Sequence, residues 1–312
     1  MDRFWLLVGT IVVALTPAID AHASSSPSES AISIMLDPVF LGGLLWTIVV
    51  LVILRRSSSP AIPSSSSRST NALHPSLWLV MGMLLYLAPT IGSLLVLPFL
   101  EATDNGALSH RDAGLLTIGS YALGVCACVI LACVVQRRDR RSGLELSVRG
   151  AGSGVIASLL LLPLLWFFSL VLLALVTLVS SWIDMPDPDS VAHSTLVTLI
   201  ESPRDIWWWA IVGGALLGAP IVEEYLFRGA VQAGLLAAGM RPIGAILIAS
   251  ALFTLTHLSA IPISSWVVAL PSLFLLSVVL GVLMERTGSV TAPIVMHSLF
   301  NLLNLGIALV GA

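Results

Sequence analysis

The sequence has few charged residues and no lysine at all. Its 312 residues include 14 basic residues, every one an arginine, and 17 acidic residues, against a hydrophobic content of 57% and a mean hydropathy of +1.01. Soluble domains carry about a quarter charged residues, so a water-soluble globule is excluded. A disordered chain would lack this much apolar material. The net charge of -3 leaves no basic surface for nucleic acid. The remaining class is an integral protein of the lipid bilayer.

Cysteine is nearly absent as well. The three cysteines, Cys126, Cys128 and Cys133, all lie in one apolar run, which excludes a disulfide framework. Because that run is rich in small residues, we interpret Cys126-x-Cys128 as helix packing and not as a metal or redox site.

Long stretches without any charged residue define the membrane spans. A helix crosses the hydrocarbon core with about 20 apolar residues, so the stretch 242–284 is too long for one span and divides best at the turn Ser259–Pro262. The pattern therefore predicts an all-α, polytopic transmembrane helix bundle of about eight spans. The charge-free stretches are 38–54, 69–100, 113–136, 150–183, 206–222, 242–284 and 287–312.

The first apolar run differs from the others. It is short, follows Arg3 and leads into the small-x-small sequence Ala21-His22-Ala23, which predicts a secretory signal peptide over residues 1–23. An uncleaved signal anchor is the alternative. Residues 24–149 then form a leading transmembrane region with three spans and Ser-rich and Arg-rich loops.

Arginine is distributed unevenly between the loops. Loops 55–75 and 136–149 contain eight arginines, whereas loops 101–112 and 183–205 contain two arginines and eight acidic residues. By the positive-inside rule, the arginine-rich loops are cytoplasmic and the termini of the mature chain lie outside. With a signal peptide and exclusive use of arginine, we expect a multi-pass protein of a bacterial inner membrane.

Polar and ionisable side chains occur inside the apolar helices of the last third. Such groups are costly in a bilayer and therefore indicate function. They fall in three short blocks, each on its own predicted helix. The residues are Glu223, Glu224 and Arg228 in the first block, His257 in the second, and His297, Asn301 and Asn304 in the third. The other four histidines, His22, His74, His110 and His193, receive no role.

Helical spacing separates the roles of the first block. Glu224 and Arg228 are four residues apart and share a face, which predicts an ion pair. Glu223 lies about 100° round the helix from Glu224 and is the carboxylate left free to face a cavity. His297 and Asn301 are again four residues apart and share a face.

The spacing to the turns places these groups at similar depth. Gly239-Met240-Arg241-Pro242 is predicted to be a cytoplasmic turn, with Gly ending one helix and Pro beginning the next. Glu223 is 17 residues before Met240 and His257 is 17 residues after it, so an antiparallel pair brings both about 25 Å from the turn. His297 follows the next cytoplasmic loop by 11 residues, about 16 Å of helix.

Three motifs in these helices resemble those of the CPBP family, also called the Abi or type II CAAX-protease family. The first is Ala219-Pro-Ile-Val-Glu-Glu-Tyr-Leu-Phe-Arg-Gly229, the second is Phe253-x-x-x-His257, and the third is Gly288-Ser-Val-Thr-Ala-Pro293 followed by His297-x-x-x-Asn301. The resemblance covers about residues 150–310. It makes residues 150–312 the expected intramembrane protease core.

The resemblance implies an endopeptidase that acts on a peptide or protein substrate in or at the membrane. The substrate would be a prenylated CAAX-like peptide or another membrane-associated peptide. Carried over to this sequence, Glu223 would be the general base and His257 would help to hold the water. His297 and Asn301 would stabilise the oxyanion. Glu224 and Arg228 would be supporting residues. The reaction would need no metal ion or other cofactor.

The residue chemistry agrees with these roles but leaves alternatives. A partly desolvated carboxylate suits a general base near neutral pH, and an amide and an imidazole can donate to an oxyanion. Two Glu and two His could instead bind Zn²⁺, although neither His-Glu-x-x-His nor Glu-x-x-His is present. A proton-coupled transporter and a non-catalytic immunity or scaffold protein are the alternatives outside enzymes.

Overall fold

The computed structural model describes residues 38–56, 66–101, 108–183 and 193–310, and all regular secondary structure in these ranges is helical. The predicted signal peptide lies outside the described residues. In chain order the helices are α1 (Pro38–Arg56), α2 (Pro75–Val96), α3 (His110–Arg138), α4 (Val148–Ile183), α5 (Ser194–Glu201), α6 (Ile206–Ala237), α7 (Pro242–Thr256), α8 (Trp266–Thr287) and α9 (Thr291–Val310).

The predicted all-α polytopic bundle is confirmed, with one difference in the count of spans. Within the described ranges, seven helices are long and apolar enough to cross a membrane: α2, α3, α4, α6, α7, α8 and α9. The eighth predicted span is α1, whose described apolar stretch, Leu41–Val50, is shorter than the others. The predicted division of 242–284 is present, because α7 ends at Thr256 and α8 begins at Trp266.

Local sequence signals explain where the helices begin and end. The Asp205 carboxylate caps α6 by accepting the backbone N–H groups of Trp207 and Trp208, both at 3.0 Å. These hydrogen bonds hold the pKa of Asp205 below its ordinary value, and the bond from Trp208 has the larger effect. Gly239, with a φ of 87°, makes the predicted turn before α7, and Pro242 begins that helix.

The central helix is α6, which packs against α2, α3, α7 and α9. Two π-helical segments interrupt it, Gly214–Gly218 and Tyr225–Val231, and they flank the α-helical turn Ala219–Glu224. Single π-helical turns inside α-helices occur frequently at functional sites. The turn that carries the two adjacent glutamates is thus bounded by irregular helix on both sides.

The main apolar core surrounds α6 on the side of α2 and α3. Trp78 and Leu85 of α2, Leu131 of α3 and Phe253 of α7 are among its fully buried members. Of the two cysteines interpreted as packing residues, Cys128 is buried in the same core, whereas Cys126 is exposed.

The crossing of α2 and α3 depends on glycine. A Cβ atom at Gly92 would lie 2.2 Å from the backbone oxygen of Gly119 and 2.8 Å from its carbonyl carbon. Because both obstructing atoms belong to the backbone, no side-chain rotation could relieve the contact. The two helices approach each other closely only because both positions are glycine.

We expect Gly92→Ala to lower the unfolding temperature of the protein in detergent by several degrees, since overpacking costs about 1–3 kcal/mol. Tryptophan fluorescence during heating measures this. The matched control is Gly152→Ala in α4, where a Cβ atom meets nothing within 4 Å. Equal unfolding temperatures for the two variants would show that the α2–α3 crossing is not constrained by Gly92.

Candidate active site

The structure brings four of the six predicted site residues into one connected group. Glu223, Glu224 and Arg228 of α6 lie against His297 of α9. His257, at the end of α7, joins them through the ring of Phe253. Asn301 lies one turn farther along α9 and contacts α6 at a different point.

The predicted ion pair between Glu224 and Arg228 is present and completely buried. Arg228 Nε lies 3.2 Å from Glu224 Oε2, and the two side chains are 1% and 0% exposed. Arg228 also donates to the hydroxyl and the backbone oxygen of Ser277 in α8, at 2.8 and 2.9 Å. Its guanidinium lies 5.2 Å from the centroid of the Phe253 ring. The cation is therefore satisfied on several sides within the bundle.

Glu224 also holds His297. The imidazole Nδ1 lies 2.9 Å from Glu224 Oε1, and as the anion of the ion pair Glu224 can only accept. His297 Nδ1 is thus the donor, which fixes the tautomer and the orientation of the ring. Nε2 faces away from Glu224 and lies 3.8 Å from Glu223 Oε2, which is too long for a hydrogen bond.

Glu223 differs from Glu224 in its surroundings. Its side chain is 24% exposed, and its buried Oε2 accepts no hydrogen bond from any described residue. A buried carboxylate oxygen without a partner is unusual and calls for an explanation. Glu223 is therefore the less buried carboxylate of the pair, and its Oε2 lies near His297 without a hydrogen bond.

His257 is oriented by its own helix. Its Nδ1 lies 2.8 Å from the backbone oxygen of Phe253, which can only accept, so Nδ1 carries a proton and Nε2 of the neutral ring carries a lone pair. The ring stacks on Phe253 at a centroid distance of 4.6 Å. Phe253 is fully buried and also contacts the rings of His297 and Phe227, at 5.8 and 5.3 Å.

The two amides have different partners. Asn301 donates from Nδ2 to the backbone oxygen of Ala215, at 2.8 Å, and so joins α9 to the first π-helical segment of α6. Asn304 donates to the backbone oxygen of Phe300 in its own helix, at 2.9 Å. A side-chain amide has two N–H donors, so Asn301 can make this contact and still donate to a ligand.

Sequence reasoning missed several residues of this region. Ser277 received no role, although it binds the buried Arg228, and His193 received none although its ring lies 6.3 Å from that of His257. The triplet Trp207-Trp208-Trp209 next to Asp205 is typical of an anchor at a membrane surface, but Trp208 is buried and donates to the backbone oxygen of Leu199. Only Trp209 of that triplet is largely exposed. The sequence has no signal for these tertiary contacts.

The acidic and imidazole groups do not converge on one point. Across the described ranges, no three His, Cys, Asp or Glu side chains are placed to hold one metal ion. His297 Nδ1 and His257 Nδ1 are both engaged by other groups, which leaves one nitrogen on each ring.

Comparison with known families agrees with the geometry. Residues 205–303 match a family model described as Type II CAAX prenyl endopeptidase Rce1-like. We refer to residues 205–303 as the Rce1-like region. The match confirms the family resemblance read from the three motifs, over about a third of the chain. The Rce1-like region contains all six predicted site residues and extends from the cap of α6 into α9. No curated protein and no solved structure matches the chain.

The two adjacent glutamates should differ in their effect on stability. Glu224→Gln leaves Arg228 buried without its counter-charge, and breaking a buried pair costs about 3–5 kcal/mol. We expect a large fall in the unfolding temperature in detergent. Glu223→Gln, in contrast, changes a partly exposed side chain whose Oε2 accepts no hydrogen bond from the described residues, and this variant should unfold close to the wild-type temperature. The reverse order would contradict the assignment of Glu224 as the structural carboxylate.

Proposed function

We propose that this protein is an intramembrane endopeptidase that hydrolyses peptide bonds of a membrane-associated substrate with a water activated by Glu223. The family match supports a CAAX-type membrane protease at the level of the family. The observation that carries the proposal is the contrast between neighbouring carboxylates. Glu224 is completely buried and contacts both Arg228 and His297, whereas Glu223 is partly exposed and its Oε2 lies 3.8 Å from His297 without a hydrogen bond.

In the first step, water transfers a proton to the Glu223 carboxylate while its oxygen attacks the carbonyl carbon of the scissile peptide bond. His257 supports this step by accepting a hydrogen bond from the water at Nε2, the nitrogen that the neutral ring leaves unprotonated. When the tetrahedral intermediate collapses, the proton held by Glu223 passes to the departing amine. The carboxylate is thereby regenerated.

The negative charge of the intermediate lies on the former carbonyl oxygen. Asn301 supplies the second N–H of its amide, since the first is used on Ala215. His297 supplies Nε2–H when both of its nitrogens are protonated, because Nδ1 already donates to Glu224. Donors aimed at a developing oxyanion in a site of low dielectric are a major source of catalysis.

Glu224 and Arg228 act as positioning residues. They do not approach the substrate, because both are completely buried. Glu224 sets the tautomer and direction of the His297 ring, and Arg228 neutralises Glu224 inside the bundle. Their common effect is an imidazole held in one orientation beside Glu223.

The proposal is tested by incubating purified protein in detergent with a mixed peptide library that includes prenylated CAAX peptides. The cleavage products are identified by mass spectrometry. Glu223→Gln should reduce cleavage by about 10²–10⁴-fold, the usual contribution of a general base. A strong zinc chelator should leave the wild-type rate unchanged. Loss of cleavage with chelator and its return with Zn²⁺ would overturn the metal-free mechanism. No cleavage by folded wild-type protein would favour a non-catalytic membrane protein.

The two asparagines of α9 provide a matched comparison for the oxyanion role. Asn301→Ala should lower kcat by about 10²–10³-fold, as removal of an oxyanion donor does. Asn304→Ala should leave kcat near the wild-type value, because its amide donates within its own helix. Similar kcat values for the two variants would remove Asn301 from the mechanism.

A further inference from the structure

Arginine is concentrated at one end of the bundle. The backbone N–H of Ser69, before α2, donates to the backbone oxygen of Arg141, between α3 and α4. The backbone N–H of Val290, before α9, donates to the backbone oxygen of Gly143. These three loops therefore meet at one end, which we call the arginine-rich end and which the positive-inside rule makes cytoplasmic. Residues 137–149 alone contain five arginines against two acidic residues.

Four of these arginines follow one another around the end of α3, and we call them the arginine cluster. All four are exposed, and within the described ranges none of them forms an ion pair with a carboxylate. The cluster consists of Arg137, Arg138, Arg140 and Arg141. Asp139 lies among them, and its carboxylate accepts the backbone N–H of Arg141 at 2.9 Å, which stabilises the turn. The guanidinium groups are left free to bind an anion from outside.

The backbone that carries the arginine cluster is fixed from behind. Ser142 and Leu144, which follow it, are 1% and 0% exposed. Gly143 has a φ of 74°, and a Cβ atom there would collide with the backbone oxygen of Gly288. The Tyr225 hydroxyl of α6 donates to the backbone oxygen of Leu144 at 2.6 Å. The arginines are thus presented by an ordered loop, which lowers the entropic cost of binding a ligand.

The arginine cluster continues a face of α3 that is exposed and apolar. Ile130 and Val134 are 63% and 37% exposed, and Arg138 follows Val134 by one further step of four residues. Residues four apart share a face of a helix, so Arg138 lies about 12 Å beyond Ile130 on the same face. On a membrane-spanning helix such a face contacts acyl chains, and an arginine near the helix end extends to the headgroups.

The segment after the buried residues is also exposed and apolar. Leu146 and Val148 are 68% and 91% exposed, and the neighbouring Arg149 is exposed as well. Aliphatic side chains beside arginines suit the boundary between headgroups and acyl chains. This combination favours a lipid over a soluble anion, because a soluble anion gains nothing from the apolar side chains.

We propose that the arginine cluster binds the phosphate of an anionic phospholipid whose acyl chains lie along the exposed face of α3. Arginine binds phosphate through charge-assisted hydrogen bonds, and anionic lipids of the cytoplasmic leaflet attract basic segments next to membrane helices. The same loop is hydrogen-bonded to Tyr225 and Val290, so the bound lipid stabilises the helices that carry the candidate active site. This inference does not rest on the proposed function.

Native mass spectrometry of the purified protein in a mild detergent tests the proposal. Phosphatidylglycerol and phosphatidylcholine with identical acyl chains are titrated separately, and the dissociation constant of the first bound lipid is measured. We expect phosphatidylglycerol to bind at least about fivefold more tightly, since each arginine near an anionic membrane surface contributes a factor of about five. Equal dissociation constants for the two lipids would overturn the proposal.

Two double variants that lose the same charge locate the site. Arg137→Gln combined with Arg138→Gln should remove most of the preference for phosphatidylglycerol. Arg241→Gln combined with Arg286→Gln should keep it, because these arginines are exposed at the same end but lie outside the cluster. Equal losses would show a diffuse attraction by the whole end and would contradict a site at the cluster.

Two further variants complete this comparison. Arg137→Lys combined with Arg138→Lys keeps both charges and should restore most of the preference. If a double variant does not fold, the single variants Arg138→Gln and Arg241→Gln provide the same contrast.

Competition separates a lipid site from a site for a soluble anion. Inorganic phosphate in large excess should weaken phosphatidylglycerol binding no more than sodium chloride of equal ionic strength, since both act only by screening. Displacement of the lipid by phosphate beyond the effect of chloride would assign the cluster to a soluble anion and overturn the proposal.

Thermal unfolding in detergent tests the stabilising effect. A ligand that binds only the folded protein raises its stability. Phosphatidylglycerol should therefore raise the unfolding temperature of the wild type more than that of the variant with Arg137→Gln and Arg138→Gln. Equal shifts would show that the lipid acts elsewhere on the protein.

Discussion

The buried ion pair between Glu224 and Arg228 is the interaction on which the site depends. Inside a membrane bundle a lone charge is very costly, and a pair is tolerated only when its remaining donors and acceptors are also satisfied. Ser277 and the Phe253 ring satisfy the arginine, and His297 shares the glutamate. One electrostatic requirement therefore joins α6, α7, α8 and α9 around a fixed imidazole.

This arrangement separates two carboxylates that are adjacent in sequence. Consecutive residues of a helix point about 100° apart, so Glu224 faces the centre of the bundle while Glu223 remains partly exposed. The first π-helical segment packs against α3 and α9, and the second packs against α2 and α7. One helical turn thus supplies a completely buried carboxylate and a second one that remains partly exposed.

The bundle is asymmetric along the membrane normal. Buried polar contacts centred on Arg68 and Glu285 lie at the arginine-rich end, and α7 ends at Thr256 toward the other end. Residues before the Rce1-like region contribute to both features, since Arg68 and His193 precede the matched range 205–303. Residues on the N-terminal side of the matched range are thereby part of the site's surroundings.

Sequence by itself determined the class of the protein, the helical bundle and the helices that carry the polar groups. Charge-free length is a local property, and an ion pair four residues apart follows from helical geometry alone. Tertiary structure decided that His297 bonds Glu224 and lies 3.8 Å from Glu223, and that Asn301 binds Ala215. It also decided the nearness of His193. Such contacts join residues far apart in the chain, and their distances follow from how whole helices pack, which no local pattern records.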